Sequence, residues 1–206
     1  MHSTDHFDTS SGCCEMPQPF KLDSKWRDVS DYVVHFTRHE ATLTSILTER
    51  RLKASKPFGW VYQHPNRGQL SNNQVSACFT EVPRDHYTRM VDRHGSFGVV
   101  FEKSLIVASG GARVWYVDRD SAVGTHLSTS IALLEQESAW DHPFWSLTPF
   151  FEPRIPGRHQ WEWEREWRVP GDFVWDSDDA VIGVLAPESA REKFGELGFQ
   201  VRPPLD

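Results

Sequence analysis

From Trp161 to Val169 the chain reads Trp-Glu-Trp-Glu-Arg-Glu-Trp-Arg-Val, and no other stretch restricts the fold as strongly. Side chains of a strand point alternately to opposite faces. Read as a strand, the segment places Glu162, Glu164, Glu166 and Arg168 on one side and Trp161, Trp163 and Trp167 on the other. Carboxylates two residues apart on one face repel and raise each other's proton affinity, so the row persists only where solvent, Arg168 or a ligand compensates. Two outcomes satisfy that condition. One is an edge strand with its acidic face in water, a defence against edge-to-edge pairing. The other is a working surface, because a carboxylate on a rigid strand can hydrogen-bond a ribose hydroxyl or stabilise positive charge developing beside it.

A second pattern begins at Tyr32. Alternation in Tyr-Val-Val-His-Phe-Thr puts Val33, His35 and Thr37 on one face of a strand and Tyr32, Val34 and Phe36 on the other. Thr37 and Glu40 have capping-box spacing, and Leu43, Ile46 and Leu47 follow at helical spacing, so strand runs into helix. His35 and Thr37 then sit beside a helix N-terminus, where backbone N–H groups face anions. The plainer alternative makes Thr37 the cap and His35 a satisfied core histidine, and the two roles are compatible.

The rest of the chain fills in an α+β fold: a mixed, mainly antiparallel sheet with flanking helices. Residues 1–28 are rich in Ser, Asp, Pro and His without apolar periodicity and read as a flexible tail, leaving 29–206 as a single domain. Turn formers between Ser55 and Asn73 predict a long loop. Val75–Thr80 reads as a strand, Tyr87–Val91 as a short helix ended by Gly95, and Phe97–Glu102 with Val114–Val117 as a hairpin-like pair. A helix around Ile131–Leu134 precedes a Pro- and aromatic-rich stretch from His142 to Pro156 that resembles a lid or connector. Val181–Leu185 gives a further strand, and Pro187 opens a last short helix.

Charge and composition narrow the chemistry. With 22 basic against 29 acidic residues, the net charge of −7 argues against a surface that holds nucleic acid mainly by neutralising phosphates. The three cysteines show no disulfide framework: Cys13 and Cys14 are adjacent in the tail and Cys78 lies in an apolar run, which fits a reducing compartment. No signal peptide and no membrane-length apolar run is legible, so a cytoplasmic protein without membrane partners is expected. His35 and His39 fall on different elements, so no metal is expected. Neither a P-loop nor a G-x-G-x-x-G fingerprint occurs. Several of the nine Trp crowd between Trp140 and Trp175, where core packing and groove lining are both open readings.

The order Val34-His35-Phe36-Thr37, Leu43 to Leu47, Cys78-Phe79-Thr80-Glu81, Phe97 to Phe101 and Glu164 to Arg168 resembles the AbiGi-type abortive phage resistance proteins. The opening strand and helix are also similar to ADP-ribosyltransferase toxins of the DarT kind. The resemblance covers about residues 32–185 and implies an ADP-ribosyltransferase-like fold in which His35 and Thr37 contact NAD. It further implies Glu166 as the catalytic carboxylate, Glu164 as a residue positioning the acceptor, and Tyr62 or Phe79 as the ring that stacks on nicotinamide. The acceptor would be a nucleic acid or protein. AbiGi-type proteins are described as antitoxins, so a non-catalytic partner of a toxin is the alternative. The two differ geometrically: the enzyme needs His35 and Glu166 in one cleft, and the antitoxin a broad patch around Trp140, Phe144 and Trp145.

Overall fold

The structure, a computed structural model, describes residues 30–55, 59–61, 70, 74–81, 86–155, 157 and 161–204. The tail, Tyr62 and most of the 55–73 segment lie outside the described residues. In chain order the elements are β1 (Tyr32–Thr37), α1 (Glu40–Glu49), β2 (Arg51–Leu52), β3 (Ser76–Thr80), α2 (Tyr87–His94), β4 (Phe97–Glu102), α3 (Lys103–Ala108) and β5 (Ala112–Arg113). There follow β6 (Trp115–Asp118), α4 (Ala122–Gln136), β7 (Phe151–Arg154), β8 (Glu166–Pro170), β9 (Phe173–Val174), β10 (Val181–Leu185), α5 (Arg191–Glu196) and β11 (Val201–Arg202).

Seven strands form one sheet in the order β11-β10-β4-β1-β3-β8-β5. Its pairings are antiparallel except for β10 with β11, so the mixed, mainly antiparallel α+β architecture expected from sequence is present. Two small pairs stand apart, β2 with β9 and the parallel β6 with β7. Among the described residues, no helix is long and apolar enough to cross a membrane.

Register explains which side chains meet. Val33 opposes Phe101, His35 opposes Val99, Ala77 opposes Val169 and Phe79 opposes Trp167. These residues share the face covered by Leu43, Ile46 and Leu47 of α1, Ile106 of α3 and Phe194 of α5, which is the main core. Phe101, Phe173 and Trp175 pack there through tilted and edge-on contacts at 5.0–5.6 Å. The opposite face carries Val34 and Phe36 of β1, Cys78 and Thr80 of β3, and Glu166 and Arg168 of β8. α2 covers part of it, with Met90 packed on Val34 and Phe36.

Four sequence expectations are corrected. The Trp161–Val169 segment is not one strand: Glu162–Glu164 form a 3-10 turn, Arg165 is left-handed at φ 46°, and only Glu166 onward joins the sheet. Bending there removes Glu162 and Glu164 from the row, which relieves the repulsion a straight strand would have imposed. The acidic-edge alternative also fails, since β8 lies between β3 and β5. Thr37 does not cap α1; the N-cap is His39, which makes no side-chain cap bond, because Thr37 remains in β1 opposite Phe97. Finally, Phe97–Glu102 and Val114–Val117 form no hairpin, since α3 intervenes and the latter strand pairs with β7.

Gly95 ends α2 at φ 106°, and a Cβ there would lie 2.4 Å from Arg38 Cα and 2.5 Å from the Thr37 carbonyl oxygen. Only glycine lets the helix end press this closely on the end of β1. Gly95→Ala is expected to cost about 2–3 kcal/mol of unfolding free energy in urea titration. Gly110→Ala, at φ 77° with nothing nearby, should cost only about 1 kcal/mol. Equal losses would contradict this packing.

Candidate functional site

The sheet face opposite the main core is the floor of a cavity of about 590 Å³, within the range of small-molecule sites. α2, β7, the turn at 161–164, the Gly59–Trp60 corner and Arg119 wall it.

Arg168 anchors the floor. Its guanidinium is almost wholly buried, at 3% side-chain exposure. Nε donates to Glu166 Oε1 at 2.8 Å and Nη2 reaches Glu166 Oε2 at 3.1 Å, a two-point bond within one strand. Nη2 also donates to Glu152 of β7 at 2.8 Å, and Nη1 donates to the Pro149 carbonyl at 2.7 Å. Burial disfavours the Arg168 charge, but Glu166 beside it more than restores it, so the group is held above its ordinary range. Tyr116 donates its hydroxyl to Glu166 Oε2 at 3.2 Å, and burial, reinforced by Glu166, pushes that phenol far up. Cys78, expected among apolar neighbours, instead faces the cavity beside this pair; burial and then Glu166 push its thiol up, so it is no nucleophile at neutral pH.

Gly59, at φ 98°, permits this arrangement, because a Cβ would sit 2.6 Å from the Phe151 carbonyl oxygen and 3.3 Å from Arg168 Nη1. The same carbonyl accepts from Trp60 N at 3.0 Å and brings the indole to the cavity wall.

Glu164 enters from the turn rather than from the strand. Its carboxylate lies 2.7 Å from Arg93 Nε and 3.4 Å from His94 Nε2, both at the end of α2. Thr80 donates its hydroxyl to the Glu164 carbonyl, and Arg154 links Asp118 of β6 to Glu162 of the turn. Trp161 stacks on Arg93 at 3.6 Å and Trp163 on Arg89 at 3.7 Å, so these rings face α2 and not a shared core with Trp167.

His35 reaches the cavity from the other side of its strand. β1 pairs with β4 along its whole length but with β3 only at Val34↔Thr80 among the described residues. Beyond that pair the imidazole bonds β1 to β3, with Nδ1–H donating to the Cys78 carbonyl at 2.8 Å. A carbonyl can only accept, so Nδ1 carries the proton and Nε2 of the neutral ring is left as an acceptor. Burial lowers its proton affinity, the bond to Cys78 opposes the effect, and His94 adds repulsion.

Thus His35, Phe79, Glu164 and Glu166 line one cavity, while Thr37 is not among its lining residues and Tyr62 lies outside the described ones. Phe79 is 3% exposed and meets Phe101 and Phe173 at near-perpendicular angles at 6.0 and 5.4 Å, so its ring is packed in the main core. Trp60 and Trp161 offer the aromatic walls instead. Together with Arg93, His94, Glu152 and Arg119 they come from segments distant in sequence, with no local signal to single them out. In the Trp140 region Trp145 is 3% exposed, stacks on Trp140 at 5.8 Å and packs with Val61, Leu70 and Ile131 in a second core, while Trp140 and Phe144 are half-buried. No family model, curated protein or solved structure matches the chain.

Two outcomes follow from these charges. Removing the buried cation in Arg168→Met breaks its ion pairs with Glu152 and Glu166, and should cost about 3–5 kcal/mol in urea unfolding; a loss below about 1 kcal/mol would contradict the hub. For His35 the folded ring holds its proton less tightly than the unfolded one, whose reference value is 6.5. The unfolded state therefore binds more protons in that window, and stability falls as pH drops below 6.5 until the folded ring also titrates. His35→Gln should flatten this part of the stability profile between about pH 7 and pH 5; an unchanged slope would rule out a buried neutral imidazole.

Proposed function

We propose that this chain is an ADP-ribosyltransferase-like enzyme of phage defence or a toxin system, acting in the cytoplasm, that cleaves the N-glycosidic bond of NAD. ADP-ribose would pass to a nucleic-acid or protein acceptor. The observation that carries the reading is the convergence of His35 and Glu166, from β1 and β8, on one cavity large enough for a nucleotide, with Glu164 at its side.

Each residue then has a task. Neutral His35 accepts a ribose hydroxyl hydrogen bond through Nε2 and fixes the sugar. The nicotinamide–ribose C–N bond breaks with its electron pair going to the ring nitrogen, so nicotinamide leaves neutral and C1′ becomes positive. Glu166, held by Arg168 at 2.8 Å, would oppose that charge, with its orientation set before the reaction. The acceptor's nucleophilic atom bonds C1′, and its proton passes to Glu164. Trp60 and Trp161 provide flat apolar surface for the rings of the cofactor.

Nicotinamide release from NAD, followed with cell lysate or oligonucleotides as acceptor source, tests the reading. Wild type should release it, Glu166→Ala should lose about 100-fold or more, and His35→Ala roughly tenfold. No release by wild type, joined to no NAD binding in calorimetry, would overturn the enzyme and favour the non-catalytic antitoxin.

A further inference from the structure

Glu164 and Glu166 line the same cavity and are held in different ways. Glu166 accepts three hydrogen bonds, two from Arg168 and one from the Tyr116 hydroxyl, so donors occupy its oxygens before any ligand arrives. Glu164 is gripped through Oε1, 2.7 Å from Arg93 Nε, and turns Oε2 toward an imidazole, with His94 Nε2 at 3.4 Å. That nitrogen is shut off from solvent and has no hydrogen-bond partner among the described residues. The His94 side chain is nevertheless 36% exposed against 12% for Glu164, so its contact with water falls on atoms other than Nε2. The ring is held in place from behind. His94 is the last residue of α2, and the close approach of Gly95 to Thr37 and Arg38 pins that helix end to β1. A helix C-terminus favours a cation, so a proton gained by His94 is met by the helix dipole as well as by the carboxylate. His35 also lines this wall, and a charge on His94 opposes its protonation, so a proton taken up at His94 does not pass on to the ring that meets the sugar.

We propose that His94 is the positioning residue of Glu164 and the final receiver of the acceptor's proton, the two forming a carboxylate–imidazole pair that activates the nucleophile. The inference rests on the transferase reading above. As the acceptor's lone pair bonds C1′, its bond to hydrogen breaks and the proton goes to Glu164. From there it crosses to the lone pair of His94 Nε2, the neutral ring carrying its own hydrogen on Nδ1. Glu164 returns to a carboxylate, now beside an imidazolium. Free imidazole is a stronger base than a free carboxylate by about two pH units, so the pair accepts a proton more completely than a lone carboxylate would. His94 acts through Glu164 and does not itself meet the reacting atoms. The two carboxylates thereby divide the work: Glu166, held by Arg168 and Tyr116, opposes charge on the sugar, and Glu164 with His94 handles the proton.

The test reads nicotinamide release from NAD by the full chain, with cell lysate as acceptor source, beside calorimetric titration with carbocyclic NAD⁺, whose pyridinium cannot leave. His94→Gln fills similar space without a basic nitrogen and should lower kcat about 100-fold. KM and affinity for the analogue should stay within about threefold of wild type. Free imidazole should restore turnover to His94→Ala in a saturable manner, which a purely structural role would not allow. Glu164→Gln combined with His94→Gln should lose no more than the worse single variant, because the two groups act as a unit. A His94→Gln kcat within about threefold of wild type overturns the proposal. So does a loss that imidazole does not restore, one matched by an equal weakening of analogue binding, or one that adds to the Glu164→Gln loss in the double variant. Wild type that neither binds the analogue nor releases nicotinamide overturns the transferase reading itself, and this proposal with it.

Discussion

A buried guanidinium is tolerable only if nearly every N–H finds an acceptor and its charge is met, because desolvation costs several kcal/mol for each ion. Arg168 imposes that condition on this fold. Its acceptors come from its own strand, from β7 and from the Pro149 turn. Three segments are therefore tied to one side chain. The Gly59 backbone must also approach within contact of it, which a side chain at that position would prevent. The cavity exists because these demands hold β7 and the Trp60 corner above the sheet, while the opposite face of the same strands is sealed by α1, α3 and α5.

The sheet thus divides its labour by residue parity. Odd positions of β1 and β3, Val33, Ala77 and Phe79, build the core, and even positions, Val34, Phe36, Cys78 and Thr80, face α2 and the cavity. His35 breaks the rule. It sits on the core side and serves the cavity because backbone pairing between β1 and β3 ends at Val34↔Thr80 and its imidazole bridges the strands beyond. A side chain there must be flat, neutral and able to donate to a carbonyl, which a histidine with a depressed proton affinity provides.

Sequence periodicity revealed the strands and helices whose signals are local. The β1 pattern and the apolar face of α1 read correctly because burial enforces period two and period 3.6. The acidic segment was half legible: Trp167 and Val169 point to the core and Glu166 and Arg168 to the cavity, as alternation requires. Upstream the alternation ends at Arg165, since a non-glycine residue in the left-handed region leaves no mark in the sequence. The Glu164 carboxylate nevertheless reaches the cavity, from a turn and with α2 as partner. Contributions from α2 and β7 were invisible because only tertiary contact gives Arg93, His94 and Glu152 their roles. His35 and Glu166, far apart in sequence, line one cavity, and only the fold brings them together.

The most direct measurement is the structure of the protein crystallised with carbocyclic NAD⁺. The account predicts the analogue in the cavity above β1, β3 and β8, with its nicotinamide-side ring hydroxyls within hydrogen-bond distance of Glu166 and His35. An empty cavity at saturating analogue, or an analogue seated elsewhere on the molecule, would contradict it.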